Sequence, residues 1–391
     1  MNILILGGGG REHAYAFSLV RSPSVHKVYV CPGNGGMKEI CTCIPFTSNS
    51  ELVSFSKSNV DLAVVGSSEF IARGTVDSLL IAGIPVLGPA ADAGRIETSK
   101  AYATAFMVRH RIPSPLSQIV SNLKEAEEFI RQNQWVRVVK CDRFSFGSGV
   151  AITQNDDETL AAVKQFLKAH GPPLILQERL TGMECSYSIL TDGNQWVSFS
   201  TSRDYKHAID HEEGPTTGGM GSVSPCPGIV TDIEQRIREC VVEPTVSGLA
   251  ADKLSYKGFL SLQLMLTTQG PRVVEFNARL GDPETQSILA RFRGDLASLL
   301  MDCAQGRLDS TGSEVAFGKH RAVSVVLARK GYPNEESCDP KIENIDTIKN
   351  STAFFSGADW LASEKRWRFK TFPKLDLEAI LGCNPEFLLY L

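Results

Sequence analysis

The sequence has none of the features that mark a membrane protein or a secreted one. No apolar run approaches the roughly 18–20 residues that a membrane-spanning helix needs. Met1 leads directly into a strand-like stretch, without a basic, cleavable leader. The ten cysteines are scattered, with no C-x-x-C pair and no histidine near Cys41 and Cys43 to complete a zinc site. We therefore expect a cytoplasmic protein with reduced thiols and no membrane partner.

Neither sign of charge dominates the chain. Forty Lys+Arg residues stand against 44 Asp+Glu residues, for a formal net charge of −4, so a nucleic-acid partner is not expected. A hydrophobic content of 42% and a charged content of 21% are typical of a folded globular protein. The 391 residues are enough for roughly two to four domains.

Short apolar runs alternate with helix-like stretches over the first 90 residues. Runs such as Ile3–Leu6 and Leu62–Val65 end in glycine-rich turns, and stretches such as Glu12–Val20 and Thr75–Ala82 lie between them. This alternation predicts βαβ units around a parallel sheet. Ligands of such sheets bind at the carboxyl ends of the strands, which directs attention to residues 7–11.

Strand signals become denser after residue 100. We predict strands at Val136–Lys140 and Val150–Thr153, separated by a glycine turn and backed by a helix at Asp157–Ala169. Further strands follow between about residues 183 and 277, and a helix at Asp232–Leu249 interrupts them. The predicted fold class is therefore multidomain α/β and α+β.

The glycine run at residues 7–10, followed by Arg11, opens a predicted helix. Backbone N–H groups in such a run can cradle a phosphate at the helix N-terminus, although a tight strand-to-helix turn explains the glycines equally simply. The run does not fit the dinucleotide fingerprint, because Glu12 and His13 occupy the places of its last glycine. A nicotinamide or flavin enzyme therefore loses support.

The stretch Val273–Arg279 predicts a strand with one polar face. Glu275, Asn277 and Arg279 alternate with Val274 and Phe276, which we expect to point into a core. A carboxylate and an amide oxygen on one face suit Mg²⁺ shared with nucleotide phosphates, and a solvated face with incidental charges is the alternative.

Three further features stay open at this stage. Lys140 ends an apolar strand and needs an anion nearby, either a polyphosphate or an internal carboxylate. The glycine-rich residues 214–221 predict a loop, which either wraps a small polar ligand or is a flexible connection. In the sequence Gly281-Asp282-Pro283-Glu284, Asp282 and Pro283 are typical of an N-cap and a first helical position.

Taken in order, four motifs resemble a known family: Gly-Gly-Arg-Glu-His-Ala (9–14), Pro-Gly-Asn (32–34), Gly-Pro-Thr-Thr-Gly-Gly-Met-Gly (214–221) and Glu-Phe-Asn-Ala-Arg-Leu-Gly-Asp-Pro-Glu-Thr-Gln (275–286). The resemblance is to the glycinamide ribonucleotide synthetases of the ATP-grasp superfamily and covers about residues 1–335. It implies an ATP-dependent ligase of purine biosynthesis that joins glycine to 5-phosphoribosylamine through a glycyl phosphate. ATP, Mg²⁺ or Mn²⁺, small-molecule substrates and a monomer or weak homodimer are implied as well.

The resemblance also assigns roles to residues of this chain. Those matching the ATP site are Lys100, Lys140, Gly147, Ser148, Gly149, Gln177, Glu178, Leu180 and Glu184, and those matching the metal ligands are Glu275 and Asn277. Those matching the substrate pockets are Gly9, Arg11, Glu12, Asn34, Gly218, Gly219, Met220, Gly221, Arg279, Gly281 and Asp282. The catalytic set is Arg279, Asp204 and Lys140.

The implied organisation is an N-terminal α/β domain (1–100), an ATP-grasp core (101–315) with a small mobile lobe at about 112–182, and a shortened, divergent C-terminal domain (316–391). Ser148 replaces a flap lysine of the family, and Ser67-Ser68 replaces a Pro-Glu pair associated with the acceptor sugar. These departures keep two alternatives open: an ATP-grasp ligase with a different acceptor amine, and a nucleotide-binding paralogue without turnover. Gln263 is expected in a cross-sheet hydrogen bond or at the metal, and residues 365–370 predict a strand with solvated cations rather than an RNA-stacking surface.

Overall fold

A computed structural model of the chain describes residues 1–46, 48–142, 149–209, 213–309, 315–328, 332–333, 341–342, 351–361, 366–369 and 388–390. Within these ranges, the helices are too short or too polar for any of them to span a bilayer.

The N-terminal region is a parallel sheet of short buried strands joined by helices. Its elements are β1 (Asn2–Gly7), α1 (Gly10–Leu19), β2 (Lys27–Pro32), β3 (Thr42–Cys43), α2 (Asn49–Asn59), β4 (Leu62–Val65), α3 (Glu69–Ala72), α4 (Thr75–Ile81), β5 (Val86–Leu87) and α5 (Ala91–Thr98). The strand order is β3-β2-β1-β4-β5 and every pair is parallel, which confirms the predicted βαβ pattern. The carboxyl ends meet, since Gly33 N donates to Gly7 O (3.2 Å) and Gly66 N to Leu6 O (2.9 Å).

A small lobe with its own core follows helix α6 (Lys100–Arg109). It contains β6 (Ser117–Val120), α7 (Leu123–Gln132), β7 (Val136–Cys141), β8 (Val150–Ile152), α8 (Asp156–His170) and β9 (Leu174–Glu178). The antiparallel order is β6-β9-β7-β8, and residues such as Val139, Val163 and Leu176 pack together beneath the sheet. Asn155 caps α8 by accepting a hydrogen bond from Glu158 N, close to the predicted helix start.

The rest of the chain is built on one large antiparallel sheet. Its elements are β10 (Met183–Thr191), β11 (Trp196–Ile209), β12 (Glu213–Ser224), α9 (Thr231–Ile237), α10 (Glu243–Ala251), β13 (Gly258–Thr267), β14 (Gly270–Asn277), α11 (Glu284–Arg291), α12 (Leu296–Ala304), β15 (Ala322–Ala328), β16 (Lys341–Ile342), β17 (Phe354–Phe355), β18 (Ala358–Leu361), β19 (Arg366–Phe369) and β20 (Leu388–Tyr390). The order is β14-β13-β10-β11-β12-β15-β20-β17, with β16-β19-β18 as a separate small sheet. Three C-terminal strands thus extend the central sheet, and the predicted boundary at residue 316 does not coincide with a break in it.

The prediction of a loop at residues 214–221 is wrong, because these residues lie in β12. Tyr205 pairs with Gly221 on one side and Val325 pairs with it on the other, with irregular register along β11. A Cβ on Gly221 would lie 2.7 Å from Ser324 O, so the glycine allows a close approach of neighbouring backbones. Gly221 therefore allows neighbouring strands to pack closely, and it does not belong to a loop.

Two interior predictions also need correction. Val273, rather than Val274, shares the core with Phe276, because the β13–β14 register shifts by one residue between Gln263 and Leu264. Strict alternation does not anticipate such a bulge. The predicted helix at 232–249 is divided by a π-helical turn at Arg238–Val242 just before Pro244, which has no N–H to continue the α pattern.

The predicted helix start at residues 281–284 is displaced. Helix α11 begins at Glu284 with Pro283 in the N-cap position and no side-chain cap. The Asp282 carboxylate instead accepts from Arg11 N (3.2 Å) and Gln286 Nε2 (2.7 Å). Asp282 therefore joins α11 to the glycine turn before α1, a tertiary role that the local pattern did not show.

Candidate active site

A cleft of about 1150 Å³ lies between the parallel sheet, the small lobe and the large sheet. Most of the residues predicted for the site line it: Gly9, Arg11, Glu12, Asn34, Lys100, Lys140, Gln177, Glu178, Leu180, Glu184, Asp204, Gly218, Glu275, Asn277, Arg279, Gly281 and Asp282. Gly149, Gly219, Met220 and Gly221 are absent from this lining as far as the structure describes it. Gly147 and Ser148 lie outside the described residues.

A cluster of three lysines surrounds Glu275. Lys100 opens α6 and places Nζ 3.5 Å from Glu275 Oε2. Burial alone would raise the pKa of Glu275, but the positive charges of Lys100, Lys206, Lys140 and Arg279 outweigh burial and hold it at about 2. Glu275 is therefore ionised, and the surplus of cations over this carboxylate suits a phosphate chain.

Lys140 is the buried member of this cluster. It is the penultimate residue of β7, with 6% of its surface exposed, and Nζ donates to Val274 O at 3.4 Å. Burial lowers the pKa of Lys140 to about 8. The charge of Glu275 raises this pKa, whereas the nearby charges of Lys100 and Lys206 lower it. Glu275 is thus an internal counter-charge for Lys140, while the cleft leaves room for a polyphosphate as well.

The pair Glu275 and Asn277 fits a divalent cation. Their strand neighbours are Gln263 and Ser261, two residues apart on β13, so both side chains lie on the cleft side of β14. The Asn277 side chain has no hydrogen-bond partner among the described residues. An ionised carboxylate and an uncommitted amide oxygen are ligands that Mg²⁺ or Mn²⁺ accepts.

Arg279 is held in place by a residue that sequence reasoning missed. Glu97, at the end of α5, accepts from Arg279 Nη2 (3.1 Å), Ser68 Oγ (2.7 Å) and Ala278 N (2.7 Å). Arg279 Nε also contacts Ser68 Oγ at 3.3 Å. Glu97 has only 8% of its surface exposed. No local pattern around Glu97 signals this role, because its partners come from distant parts of the chain.

The long strand β11 contributes Asp204 and Lys206 to the cleft. A Cβ on Gly219 would lie 2.7 Å from Asp204 Oδ1, so Gly219 lies directly behind this carboxylate. Lys206 Nζ lies 3.8 Å from Glu184 Oε2. Although burial opposes it, the charges of Asp204 and neighbouring glutamates raise the pKa of Lys206. Lys206 was also missed, and its spacing of two from Asp204 was the available signal.

At the opposite end of the cleft, Glu12 and Asn34 make internal contacts. Glu12 accepts from Gly9 N (2.6 Å) and Arg11 Nε (2.7 Å). Asn34 Nδ2 donates to Gly8 O at 2.9 Å. A Cβ on Gly66 would lie 2.3 Å from Glu12 Oε1, so the glycines make room for this carboxylate. These residues shape the glycine turn from within, whatever else they contact.

The side chains of two residues predicted to hold adenine, Gln177 and Glu178, form hydrogen bonds within the protein. Gln177 Nε2 donates to Ser117 Oγ (3.0 Å). Glu178 Oε1 accepts from Leu116 N (2.8 Å) and Arg272 Nη1 (3.1 Å). Backbone groups of residues 177–180 therefore remain the predicted adenine contacts. Gln263 accepts from Ser186 Oγ at 2.8 Å, which agrees with the cross-sheet alternative for that residue.

Comparison with family models matches two adjoining segments of the chain. Residues 1–97 match the N domain of phosphoribosylglycinamide synthetase, and residues 98–285 match its ATP-grasp (A) domain. The chain belongs to the phosphoribosylglycinamide synthetase family. The two matched domains adjoin between residues 97 and 98. Glu97 on α5 and Lys100 on α6 therefore lie on opposite sides of this domain junction.

Curated members of the family align along most of their length. The phosphoribosylamine–glycine ligase of Pasteurella multocida is 37% identical over 371 residues, covering 92% of this chain and 86% of that protein. The phosphoribosylamine–glycine ligase of Escherichia coli strain K12 is 36% identical over 348 residues, covering 86% and 80%.

The chain superposes on a solved structure of the same family and on a solved structure of a more distant protein that shares the fold. The phosphoribosylamine–glycine ligase of Thermotoga maritima superposes with a TM-score of 0.82 at 28% identity, covering 100% of this chain and 91% of that chain. The biotin carboxylase of Campylobacter jejuni, solved in complex with β,γ-ATP, gives 0.71 at 13% identity, covering 100% and 86%. The second likeness shows the fold alone, and both agree with the multidomain α/β and α+β class predicted from the sequence.

Proposed function

We propose that this chain catalyses the ligation of glycine to 5-phosphoribosylamine with cleavage of ATP to ADP and phosphate. The observation that carries the proposal is one cleft that contains both the lysine cluster around Glu275 and the glycine turn before α1. Family membership supplies the reaction class, a carbon–nitrogen ligase of purine biosynthesis. The individual residue roles that follow are part of the proposal.

The lysine cluster is the proposed seat of the ATP phosphates. Phosphoryl transfer depends on positioning and on cations that neutralise charge spreading over the phosphoryl oxygens. Lys100 and Lys140, which line the cleft, would bind these oxygens, and Lys206 would add a third cation from β11. Residues 177–180 would contact adenine, and Glu184 the ribose hydroxyls.

Glu275 and Asn277 would hold the divalent cation that accompanies ATP. A bound Mg²⁺ or Mn²⁺ would neutralise part of the charge of the phosphates. The residues themselves contribute an ionised carboxylate and an amide oxygen on one strand, both facing the cleft.

Glycine would lie between Arg279 and Asp204. The guanidinium pairs with the glycine carboxylate and the aspartate with its ammonium group, which orients a carboxylate oxygen toward the γ-phosphorus. Attack of that oxygen forms the glycyl phosphate and breaks the bond to ADP. The amine of phosphoribosylamine then attacks the carbonyl carbon, loses a proton and expels phosphate, forming the amide.

The acceptor would enter at the glycine turn, beside Gly9, Arg11 and Asp282. Arg11 Nη1 donates to Leu280 O, directly after Arg279 in the chain, so an amine bound here would lie near an activated glycine. A closed site also protects an acyl phosphate from water. We keep the monomer or weak-homodimer state and the cytoplasmic location as predictions alongside this proposal.

A coupled assay of ADP formation tests the proposal. We expect ADP release only when MgATP, glycine and freshly prepared phosphoribosylamine are all present. ADP release with glycine and a different amine would favour the ligase with another acceptor. Tight MgATP binding without phosphate release for any substrate pair would favour the paralogue without turnover.

A further inference from the structure

A segment far along the chain reaches the acceptor end of the cleft. Strand β17 (Phe354–Phe355) is followed by Ser356 and Gly357, which both line the cleft together with the glycine turn before α1. Ser356 retains 7% of its surface exposed. Residues more than 320 positions apart therefore share this end of the site.

Two side chains of the N-terminal region clamp the backbone of Phe355. His13 Nδ1 accepts from Phe355 N at 3.0 Å, and Asn34 Nδ2 donates to Phe355 O at 2.6 Å. The same Asn34 amide donates to Gly8 O at 2.9 Å, so one side chain ties the segment directly to the glycine turn.

Ring packing reinforces this clamp. The His13 ring stacks on Phe355 at 5.9 Å and meets Phe354 edge-on at 5.4 Å. Burial lowers the pKa of His13 to about 4, so the ring is neutral at physiological pH and Nδ1 can accept. A Cβ on Gly36 would lie 2.3 Å from the Phe355 ring, which shows how closely the segment is seated.

The clamp places the Ser356 hydroxyl beside acidic groups. A Cβ on Gly9 would lie 3.7 Å from Ser356 Oγ, 3.5 Å from Asp282 Oδ2 and 3.0 Å from Glu12 Oε2. Arg11 pairs with the Glu12 carboxylate, so Asp282 is the carboxylate here that suits a group that donates hydrogen bonds, such as a sugar hydroxyl. The Ser356 hydroxyl can both donate to such a group and accept from it.

We infer that Ser356 is a substrate-binding residue that contacts a ribose hydroxyl of the acceptor, together with Asp282. His13 and Asn34 are positioning residues that act through the backbone of Phe355. This inference rests on the proposed function, because it assigns a contact within the acceptor site of that reaction. Ser356 and Gly357 would thus line one side of the acceptor site, although the sequence pattern assigned no role to this part of the chain.

The first test compares Ser356→Ala with Ser351→Ala, an exposed serine five positions upstream. Loss of one neutral hydrogen bond predicts a KM for phosphoribosylamine raised about fivefold in Ser356→Ala. The KM values for ATP and glycine stay at wild-type levels, and Ser351→Ala behaves as wild type. Binding of ribose 5-phosphate, a stable sugar phosphate, should weaken by a similar factor in calorimetry.

The second test addresses the positioning residues. His13→Leu removes the acceptor of the Phe355 N–H and should raise the KM for phosphoribosylamine as Ser356→Ala does, with kcat changed less. His13→Asn keeps an oxygen near the position of Nδ1 and should restore most of the affinity. A merely structural role of His13 would raise all three KM values together.

The outcomes separate the two proposals. An active wild type whose acceptor KM does not respond to Ser356→Ala overturns the inference and leaves the function intact. An equal rise in the KM values for ATP and glycine overturns it too. A wild type that releases no ADP with glycine and phosphoribosylamine overturns the function, and the inference with it.

Discussion

Glu275 is the residue at which the lysine cluster and the proposed metal and nucleotide sites meet. Its carboxylate stays ionised because three lysines and Arg279 overcome the effect of burial on its pKa. In return, it reduces the repulsion among those cations. Removal of this charge therefore has opposite consequences for a metal ion and for a bare phosphate.

Glu275→Gln should separate these two consequences. We expect turnover with MgATP and glycine to fall about 10²–10³-fold, as for the loss of one preorganised electrostatic contact. ADP binding measured in EDTA should stay at least as tight, because a negative charge leaves the lysine cluster. Glu128→Gln, on an exposed helix face of the small lobe, is the matched control. Parallel losses of turnover and of metal-free ADP binding would contradict the metal assignment.

We expect Lys140 to make nucleotide affinity depend on pH. With a pKa of about 8 in the free protein, Lys140 is charged at pH 7 and mostly neutral at pH 9. The groups that face it are Glu275, which raises its pKa, and Lys100 and Lys206, which lower it. Phosphates bind the charged form, so affinity should fall as pH rises through 8.

Calorimetry of ADP binding in EDTA tests this dependence. The dissociation constant of the wild type should rise about tenfold between pH 7 and pH 9, and binding at pH 9 should take up protons. Lys140→Met should bind more weakly at pH 7 and show a much flatter profile. A wild-type profile as flat as that of the variant would rule out titration of Lys140 as the cause.

Strand β12 shows how backbone geometry serves the site. Gly219 has φ +130°, and a Cβ there would lie 2.7 Å from Asp204 Oδ1 and 2.5 Å from Pro283 Cδ. Gly83 also has positive φ, at +81°, but no atom lies within 4 Å of its Cβ position. The two glycines thus differ in crowding and share an unfavourable backbone conformation for other residues.

Gly219→Ala and Gly83→Ala form a matched pair. Both should lose about 1–3 kcal/mol of unfolding free energy through backbone strain, and Gly219→Ala should lose more because its Cβ also meets Pro283. Only Gly219→Ala should displace Asp204, so its KM for glycine should rise at least tenfold by a rough estimate for a lost charged contact. Normal glycine kinetics in Gly219→Ala would show that Asp204 does not bind the substrate.

The contact between α1 and β17 should weaken in acid. Burial lowers the pKa of His13 to about 4, from about 6.5 in an unfolded chain. Between these values the unfolded chain binds the extra proton, so the free energy of unfolding falls as pH drops from 6.5 toward 4. Protonated Nδ1 could no longer accept from Phe355 N.

Urea unfolding at pH 7 and pH 5 measures this loss. His13 should account for about 2 kcal/mol of it, from the part of the shift crossed in that interval. His13→Asn cannot titrate there, so its stability should fall by that much less than the stability of the wild type. Equal losses in the two proteins would mean that His13 is not the acid-sensitive group.

Patterns within one strand or helix could be predicted, and contacts between elements could not. The cleft-facing side of Glu275 and Asn277 follows from alternation, and the parallel sheet follows from buried runs such as Ile3–Leu6. The bulge beside Val274 could not be predicted, because alternation assumes a regular strand. Glu97 escaped because its partners are supplied by tertiary structure. The glycine-rich sequence of β12 predicts a loop. The contact that requires Gly221 is with Ser324, about a hundred residues further along the chain, and a local pattern does not show it.

The N-terminal region and the large sheet meet at one carboxylate. Glu97 closes the segment that matches the family's N domain and contacts Ser68 within it. It also accepts from Ala278 N, just beyond β14, and pairs with Arg279. A single buried side chain therefore links Ser68 to Arg279, the residue that we assign to glycine, and to the backbone directly after Asn277.

Glu97→Gln tests this connection. The amide keeps the shape of the side chain, but its NH₂ group must face Ala278 N–H, Ser68 or Arg279, where it meets at least one donor. Arg279 also loses its counter-charge, and disruption of a buried pair costs about 3–5 kcal/mol. We expect lower stability in urea, and a lower kcat as well, since Arg279 is no longer held toward glycine.

A double-mutant cycle with Arg279→Met distinguishes pairing from simple loss of packing. If the two charges compensate each other, the double variant should be more stable than the sum of the single losses predicts, by at least about 1 kcal/mol. Its turnover should nevertheless stay as low as that of Arg279→Met, because the proposed glycine contact is gone. Additive stability losses would show that Glu97 and Arg279 are independent. Turnover restored in the double variant would show that Arg279 does not bind glycine.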